Sequence, residues 1–303
     1  MLRCAVFEAK APKNKSGLTI AHRSHPRTYR ESCYVYPVIS RRSHGLSIGV
    51  NLNPNKACNF NCVYCQVDRM TPAKVSMLVL ATLERELREM VELVRSGTLA
   101  SEYPFNTVLD LATRINDIAL SGDGEPTTVR QFQEVVRAVR RVKQEMGLQN
   151  TKVVLITNCA GLDRTDVQAG LKLLDDDGGE VWAKLDAGTE PYFKQVNRTA
   201  IAFSRILKNL ALTAHPRPIV IQSLFVRMHG EPPPATEIEA YCGRLNDIIQ
   251  SGGKIKLVQV YTVVRKPHES WVDPLNDDEL EAIANRIRRD TQIPVEVFGG
   301  WNA

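Results

Sequence analysis

"LSIGVNLNPNKACNFNCVYCQ", residues 46–66, joins an alternating apolar run to a loop with three cysteines. The alternation of residues 46–52 predicts a β-strand. Cys58, Cys62 and Cys65 follow it within the segment 53–65, which we call the cysteine loop. In sheets built from β/α units, ligands gather at the carboxyl ends of the strands. We therefore expect the three thiols to lie at a ligand-binding edge.

From residue 46 onward, short β-branched runs alternate with longer amphipathic ones, which is typical of a parallel sheet wrapped by helices. We predict six strands at 46–52, 117–122, 152–158, 180–187, 219–226 and 254–264, with a terminal strand at 294–298. Helices are predicted at 77–96, 129–146, 200–213, 236–250 and 277–289. Six such units form either a partial barrel or an open doubly wound sheet, and sequence period alone does not separate the two.

The residues before the first predicted strand, together with the lengths of the apolar runs, indicate the domain organisation and the location of the protein. Residues 1–45 are rich in Arg, Ser and His, and we predict that they form an N-terminal extension packed on a domain of residues 46–303. Segment 1–17 is charged and lacks the apolar stretch of a signal peptide. The apolar runs are far shorter than the roughly 20 residues that span a bilayer. We therefore expect a cytoplasmic protein without a membrane segment.

Composition and charge give further bounds on function. A chain of 303 residues that is 43% hydrophobic can bury a large core. The net charge of +5 is a modest excess, so nucleic-acid binding is neither required nor excluded. Basic clusters at 22–30, 40–44 and 137–143 are either phosphate contacts or solvated surface charge.

The seven unevenly spaced cysteines do not form a pattern typical of a disulfide framework, and clustered thiols more often bind metal. Soft thiolates select zinc or iron–sulfur clusters. Structural zinc usually takes two pairs of ligands, whereas Cys4, Cys33, Cys159 and Cys242 are all isolated. A 4Fe–4S cluster normally takes four cysteines. With only three cysteines, one iron keeps an open coordination site that a small molecule can bind. The alternative interpretations of the three cysteines are a zinc knuckle that borrows a histidine and chance clustering.

The spacing of Cys58, Cys62 and Cys65, with Tyr64 just before the last cysteine, resembles the signature of the radical S-adenosylmethionine (radical SAM) superfamily. The resemblance implies a partial (β/α)6 TIM-like barrel, a 4Fe–4S cluster on the three cysteines, and S-adenosylmethionine bound at the open iron. In that family, the reduced cluster cleaves the cofactor to methionine and a 5'-deoxyadenosyl radical that abstracts hydrogen from a substrate. An external one-electron donor of the flavodoxin or ferredoxin type is implied.

The second predicted strand ends in "SGDGEPT", residues 121–127. A turn through Gly122, Asp123 and Gly124 lets the backbone approach a ligand closely, and its free carbonyls can accept hydrogen bonds from an ammonium group. A plain strand-to-helix turn is the alternative. The segment resembles the family's glycine-glycine-glutamate motif, which implies that Gly122 through Glu125 hold the amino group of the cofactor, with Asp123 replacing the middle glycine.

Polar side chains at the ends of later strands are further candidates. Alternation along 180–187 places Lys184 and Asp186 on one side, where charges are costly unless they meet each other or a polar ligand. The resemblance implies that they contact the carboxylate or ribose of the cofactor, and an internal salt bridge is the alternative. Thr157 and Asn158 end the third predicted strand and either reach the cofactor or cap the next helix. Gln222 on the fifth strand is a further cofactor-binding candidate, and the resemblance implies that backbone groups near Tyr261 on the sixth line the adenine.

The combination of "CNFNCVYCQVDR", "LSGDGEPT", "LITN", "KLDAG" and "FKQVNRT" resembles the wyosine-synthetase-like (tRNA 4-demethylwyosine synthase-like) branch over about residues 46–265. Members of that branch carry further N-terminal cysteines for a second cluster. In this chain only Cys4 and Cys33 precede the signature, which is a departure from the branch. The resemblance implies a transfer RNA base as substrate; a small metabolite, or a non-enzymatic zinc or iron–sulfur protein, are the alternatives. Candidate substrate-loop residues are Arg265 and Lys266 for an anionic group and His268 for proton transfer.

Overall fold

The structure, a computed structural model, describes residues 17–24, 29–73 and 75–300. Cys4 and the charged segment 1–16 lie outside these ranges, as do residues 25–28 of the first basic cluster. Within the described ranges, no helix has both the length and the apolar character needed to cross a membrane.

Eight strands form one curled sheet, and two short strands form a separate antiparallel pair. The strands are β1 (Val35–Ser40), β2 (Gly45–Asn51), β3 (Ile115–Ser121), β4 (Lys152–Thr157), β5 (Glu180–Lys184), β6 (Ile219–Leu224), β7 (Val226–Met228), β8 (Ile255–Tyr261), β9 (Val272–Pro274) and β10 (Val295–Phe298). The sheet order is β1-β2-β3-β4-β5-β6-β8-β10. β1 is antiparallel to β2, and every other neighbouring pair is parallel.

Helices connect the parallel strands and cover the outer face of the sheet. They are α1 (Gly17–Arg23), α2 (Leu80–Arg95), α3 (Thr98–Ser101), α4 (Leu109–Ala112), α5 (Phe132–Glu145), α6 (Thr165–Asp175), α7 (Glu190–Asn197), α8 (Phe203–Ala214), α9 (Ala235–Gln250) and α10 (Asp277–Thr291). α10 begins with a capping box: the Glu279 N–H donates to the Asn276 side chain, and the Asn276 N–H donates to the Glu279 carboxylate.

Side-chain alternation separates the two faces of the sheet. Along β2, Ile48 and Val50 are fully buried in the main core that the helices complete, whereas Ser47 and Gly49 line an inner cavity. This is the period-two pattern of a strand with different environments on its two sides. The main apolar core therefore lies between the sheet and its helices, while the other face of β2 lines a cavity.

The sheet curls into a half-barrel, so the predicted partial TIM-like barrel is confirmed. Its two edges approach each other: the Arg41 side chain, in the turn between β1 and β2, donates to the carbonyls of Phe298 and Gly299 at the end of β10. In the same region, His44 Nε2 lies 3.6 Å from a Glu296 carboxylate oxygen. Right-handed β/α units on a twisted sheet produce this curl.

The predicted strands and helices are all present, within a few residues of their expected ends, but several elements were not foreseen. α1, α6 and α7 are among them. β1 contains Pro37, which argues against a central strand but is tolerated at an edge, where β1 lies. β1 pairs with β2 along its whole length, and the division of the chain at residue 45 stays a prediction.

Candidate active site

The inner face of the half-barrel holds a cavity of about 300 Å³. The sequence-predicted residues that line it are Cys58, Cys62, Tyr64, Cys65, Gly122, Asp123, Gly124, Glu125, Thr157, Asn158, Lys184, Asp186, Tyr261 and Arg265. They come from the ends of five strands and the loops that follow. Residues spread over two hundred positions of sequence thus meet at one site.

Three predicted residues do not line this cavity. Gln222 is fully buried within the sheet, where its Nε2 donates to Gln259 Oε1 at 2.8 Å. Lys266 is exposed, and an imidazole nitrogen of His268 lies 3.1 Å from the Val67 carbonyl. Gln222 does not reach the cavity because it pairs in register with Gln259 on the adjacent strand. Its side-chain amide therefore bonds to that neighbour within the sheet.

The cysteine loop is anchored by the C-terminal end of α7. The backbone N–H groups of Asn61 and Val63 donate to the carbonyls of Asn197 and Val196 at 3.1 and 2.9 Å. Cys58, Cys62 and Cys65 are all free thiols of intermediate exposure. The loop therefore has a fixed backbone and presents its thiols to the cavity.

Asn197, which lies in the quoted segment 193–199 but was not among the predicted site residues, connects this loop to the end of β5. Its Nδ2 donates to Cys62 Sγ at 3.3 Å and to Asp186 Oδ2 at 3.2 Å. Burial, followed by the Asp186 charge, raises the pKa of Cys62 to about 11, and the Asn197 hydrogen bond opposes this rise. Asn197 thus supplies the donor that favours the thiolate form of this cysteine.

Asp186 holds the cysteine loop from the opposite direction. The Tyr64 hydroxyl donates to Asp186 Oδ2, and the Leu224 backbone N–H donates to Oδ1 at 2.9 Å. Burial, with the Asp186 charge next, raises the pKa of Tyr64 well above its ordinary value. Both carboxylate oxygens therefore have protein donors, and Asp186 positions the loop.

Lys184 points to a different partner. Its Nζ lies 3.1 Å from the Tyr261 hydroxyl, and in the described part of the chain it forms no ion pair with Asp186 within 4.0 Å. Burial alone would lower the pKa of Lys184, but the neighbouring Tyr261 and Asp186 raise it. The ammonium group stays charged and lines the cavity.

Residues 122–125, which we call the glycine turn, pack directly on the cysteine loop. Gly122 has φ +136°, and a Cβ there would lie 2.2 Å from Asn51 Oδ1. A Cβ on Gly124 would lie 1.9 Å from the Ala57 carbonyl oxygen, next to the first cysteine. The Glu125 N–H donates to this same carbonyl at 3.2 Å. The two sequence motifs are therefore in contact, and only glycine permits the approach.

The Glu125 carboxylate organises the end of β4. It accepts hydrogen bonds from Thr127 N at 3.1 Å, Thr157 Oγ1 at 2.6 Å and Asn158 N at 2.7 Å. Burial raises the pKa of this carboxyl, and these donors oppose the rise. Asn158 in turn donates to Asn59 Oδ1 at 2.7 Å, in the cysteine loop. Both carboxylate oxygens of Glu125 thus already accept hydrogen bonds from the protein, and Glu125 acts as a positioning residue.

The basic clusters noted in the sequence have different environments. On α5, Arg137 pairs with Glu134 at 2.6 Å and Lys143 pairs with Asp177 at 2.8 Å. Arg141 pairs with Glu84 on α2. By contrast, Arg41 and Arg42 from segment 40–44 line the cavity.

The donor set fits an iron–sulfur cluster by its chemistry, since three free thiols from one loop line one cavity and soft thiolates suit iron–sulfur sites. Within the described ranges, no three His, Cys, Asp or Glu side chains lie close enough together to hold a single metal ion. Thiols that bind different irons of a cluster stand further apart than the ligands of one ion.

Comparison with curated proteins finds distant relatives, while no known family model matches the chain. A protein named GTPase Obg from Brachyspira hyodysenteriae is 24% identical over 266 residues, which cover 86% of this chain and 34% of that protein. A UPF0026 protein from Helicobacter pylori is 28% identical over 181 residues, which cover 56% of this chain and 51% of that protein. The chain thus spans between a third and a half of the length of these relatives.

Solved structures give a fold match over most of the chain. A radical SAM methyltransferase from Sphaerobacter thermophilus superposes with a TM-score of 0.58 at 14% identity, over 87% of this chain and 68% of that one. The chain shares the fold of this methyltransferase. Streptococcus suis SuiB bound to S-adenosylmethionine superposes with a TM-score of 0.56 at 12% identity, over 86% of this chain and 52% of that one. At these identities the likeness concerns the fold, and the chemistry has to be argued from the site.

Proposed function

We propose that the protein is a radical SAM enzyme that holds a 4Fe–4S cluster on Cys58, Cys62 and Cys65 and reductively cleaves S-adenosylmethionine. One observation carries the proposal: the cysteine loop and the glycine turn contact each other at the Ala57 carbonyl, and residues of both segments line one cavity. A structural metal knuckle has no need of a neighbouring cavity with polar walls. The fold shared with radical SAM enzymes supports the same proposal.

The bound cluster and cofactor would supply an electron and a carbon-centred radical that abstracts hydrogen from the substrate. The residues of this chain bind and orient the reactants. The carbonyls of Gly122 through Gly124 would accept hydrogen bonds from the ammonium group of the cofactor, and the Lys184 ammonium would meet its carboxylate. Tyr261, beside Lys184, would contact the adenosine portion. Asn197, Asp186 and Glu125 keep these groups in place through the hydrogen bonds described above.

Two classes of substrate are candidates for the proposed reaction. A transfer RNA base is suggested by the resemblance to the wyosine-synthetase-like branch, and Arg265, Lys266 and His268 are the candidate substrate-loop residues. Of these, Arg265 lines the cavity. A small metabolite is the second candidate, because the basic residues of α5 that were considered for phosphate contacts are paired with carboxylates. We expect the enzyme to act in the cytoplasm with an external flavodoxin- or ferredoxin-type electron donor.

The first test removes the proposed ligands one at a time. After anaerobic reconstitution, we expect Cys58→Ala, Cys62→Ala and Cys65→Ala to lose most of the iron and sulfide of the wild type. With dithionite and S-adenosylmethionine, they should form no 5'-deoxyadenosine. The measurements are iron and sulfide content, visible absorbance and product detection by mass spectrometry.

Cys242→Ala is the matched control, because Cys242 is a buried thiol on α9 outside the cavity. It should keep the iron content and the cleavage activity. Full cluster content and cleavage in any one of the three cysteine-loop variants would contradict the assignment, as would zinc in the wild type with no cofactor cleavage. Incubation of the active protein with RNA and metabolite fractions, followed by mass spectrometry, then identifies the substrate class.

A further inference from the structure

The turn between β1 and β2 brings two consecutive arginines to the cavity wall. Arg41 donates to the carbonyls of Phe298 and Gly299, so its guanidinium is held by the end of β10. Arg42 is half-buried, and its guanidinium carbon lies 4.6 Å from the centroid of the Tyr261 ring. In the described part of the chain, the Arg42 guanidinium forms no hydrogen bond and has no carboxylate oxygen within 4.0 Å.

Positive charge is concentrated around Tyr261. The Lys184 Nζ contacts the hydroxyl at 3.1 Å, while Arg42 lies over the ring. Burial, followed by the adjacent Arg42 charge, lowers the pKa of Arg41 to about 10. Half-buried cations without anionic partners are unfavourable, and an anion bound among them would relieve this cost.

The carboxylates of the cavity do not neutralise Arg42, because each accepts hydrogen bonds elsewhere. Glu125 is occupied by the end of β4, and Asp186 by Tyr64, Asn197 and Leu224. Asp123 Oδ2 accepts from Asn51 Nδ2 at 2.9 Å. The anion that would match Arg42 is therefore external to the described chain.

We propose that Arg42, supported by Arg41, binds a carboxylate or phosphate group of the substrate. The planar guanidinium offers a fork of donors that matches either anion, and the Tyr261 ring fixes its plane. Since Lys184 also contacts Tyr261, an anion bound by Arg42 would lie beside the proposed cofactor-binding residues. This inference rests on the proposed radical SAM function and narrows its substrate to an anionic molecule.

The test uses the full-length, cluster-free chain and two simple probes, sodium acetate and sodium phosphate, titrated at constant ionic strength. We expect saturable binding of at least one probe, seen as shifts of the backbone amide signals of the β1–β2 turn in NMR spectra of 15N-labelled protein, a readout that the Arg42 variants retain. Which probe binds more tightly distinguishes a carboxylate from a phosphate substrate. Arg42→Ala should weaken binding about tenfold or more, as expected for the loss of charge-assisted hydrogen bonds.

Arg42→Lys keeps the charge but loses the fork, so it should weaken binding less than Arg42→Ala; it also decides the question if the alanine variant fails to fold. Arg137→Ala is the matched control, because Arg137 is exposed on α5 and paired with Glu134. It should bind the probes like the wild type.

Three results would overturn the proposal: no saturable binding of either probe, unchanged binding in folded Arg42 variants, or displacement of the probe by S-adenosylmethionine in the cluster-loaded protein. The last result would assign the arginine to the cofactor. Because the titrations that give the first two results need no cluster, they are independent of the cysteine-variant experiment. Failure of the anion site and failure of the radical SAM function are therefore distinguishable.

Discussion

At the scale of single residues, Gly124 decides whether the glycine turn can reach the cysteine loop. Besides the Ala57 oxygen, an added Cβ would meet Asn53 Cβ at 2.6 Å. Both partners belong to the cysteine loop, so neither can move without shifting its thiols. The sequence already indicated a close backbone approach at this position, but only the structure identifies what is approached.

We expect Gly124→Ala to separate the turn from the loop. The free energy of unfolding should fall by roughly 1–3 kcal/mol, as for other forced steric insertions. Because the turn and the loop bind adjacent parts of the proposed cofactor complex, cofactor cleavage should fall as well. Urea unfolding and 5'-deoxyadenosine formation measure the two effects.

Gly243→Ala provides the control for this substitution, since Gly243 lies in α9 and nothing is within 4 Å of an added Cβ. Replacing an unhindered helical glycine should raise stability by up to about 1 kcal/mol. Equal stability and activity of the two variants would show that the contact at Gly124 has no importance.

At the scale of secondary-structure elements, α2 holds the beginning of β1 through one buried carboxylate. Glu86, which is 2% exposed, accepts hydrogen bonds from the backbone N–H groups of Cys33, Tyr34 and Val35 at 2.9, 2.8 and 3.2 Å. In the sequence, the Glu86 position is indistinguishable from a solvated helix position. The anchoring of the edge strand was for this reason not foreseen.

Glu86→Ala should remove the carboxylate that the backbone N–H groups of Cys33, Tyr34 and Val35 use as acceptor. We expect a loss of roughly 2–4 kcal/mol in the free energy of unfolding, measured by urea denaturation. Glu89→Ala, on the same helix, removes a carboxylate that is 54% exposed and paired with Arg85. Its cost should stay within about 0.5 kcal/mol. Comparable losses in both variants would refute the anchoring role of Glu86.

At the scale of the whole molecule, the half-barrel is closed by contacts between its two edges, with α1 beside them. His22 of α1 and Arg41 of the β1–β2 turn line the same cavity. Burial, followed by the Arg41 charge, lowers the pKa of His22 from 6.5 to about 4. The imidazole of His22 therefore binds a proton less tightly in the folded chain than in the unfolded chain.

This difference predicts a pH dependence of stability. Above pH 6.5 His22 is neutral in both states, and its contribution to stability is fully present; as the pH falls from 6.5 to about 4, the unfolded state gains a proton first and stability is lost. Urea unfolding across this range should show a smaller loss for His22→Asn than for the wild type. His44→Asn should keep the wild-type dependence, because the His44 side chain is 66% exposed. An identical pH profile for His22→Asn and the wild type would rule out this linkage.

The sequence by itself determined the succession of β/α units, the cysteine loop and the glycine turn. Each of these is encoded locally, in a period of two or of about 3.6 residues or in a short spacing of special side chains. The sequence also placed Cys58, Cys62 and Cys65 beyond the end of the first parallel strand, which is where they lie. Gln222 was a cofactor-binding candidate on the fifth predicted strand, and its hydrogen bond to Gln259 was not visible from alternation alone.

Only the tertiary structure decided the edge position of β1, the curl that brings Arg41 to β10, and the environments of Asn197 and Arg42. The Asn197–Cys62 hydrogen bond joins residues 135 positions apart, and the Arg41–Gly299 contact spans 258. No local pattern records such pairs, because they depend on how the twisted strands and their crossovers bring distant segments together. Polar side chains acquire a role only when that packing supplies their partners, as it does for Asn197, or withholds them, as it does for Arg42.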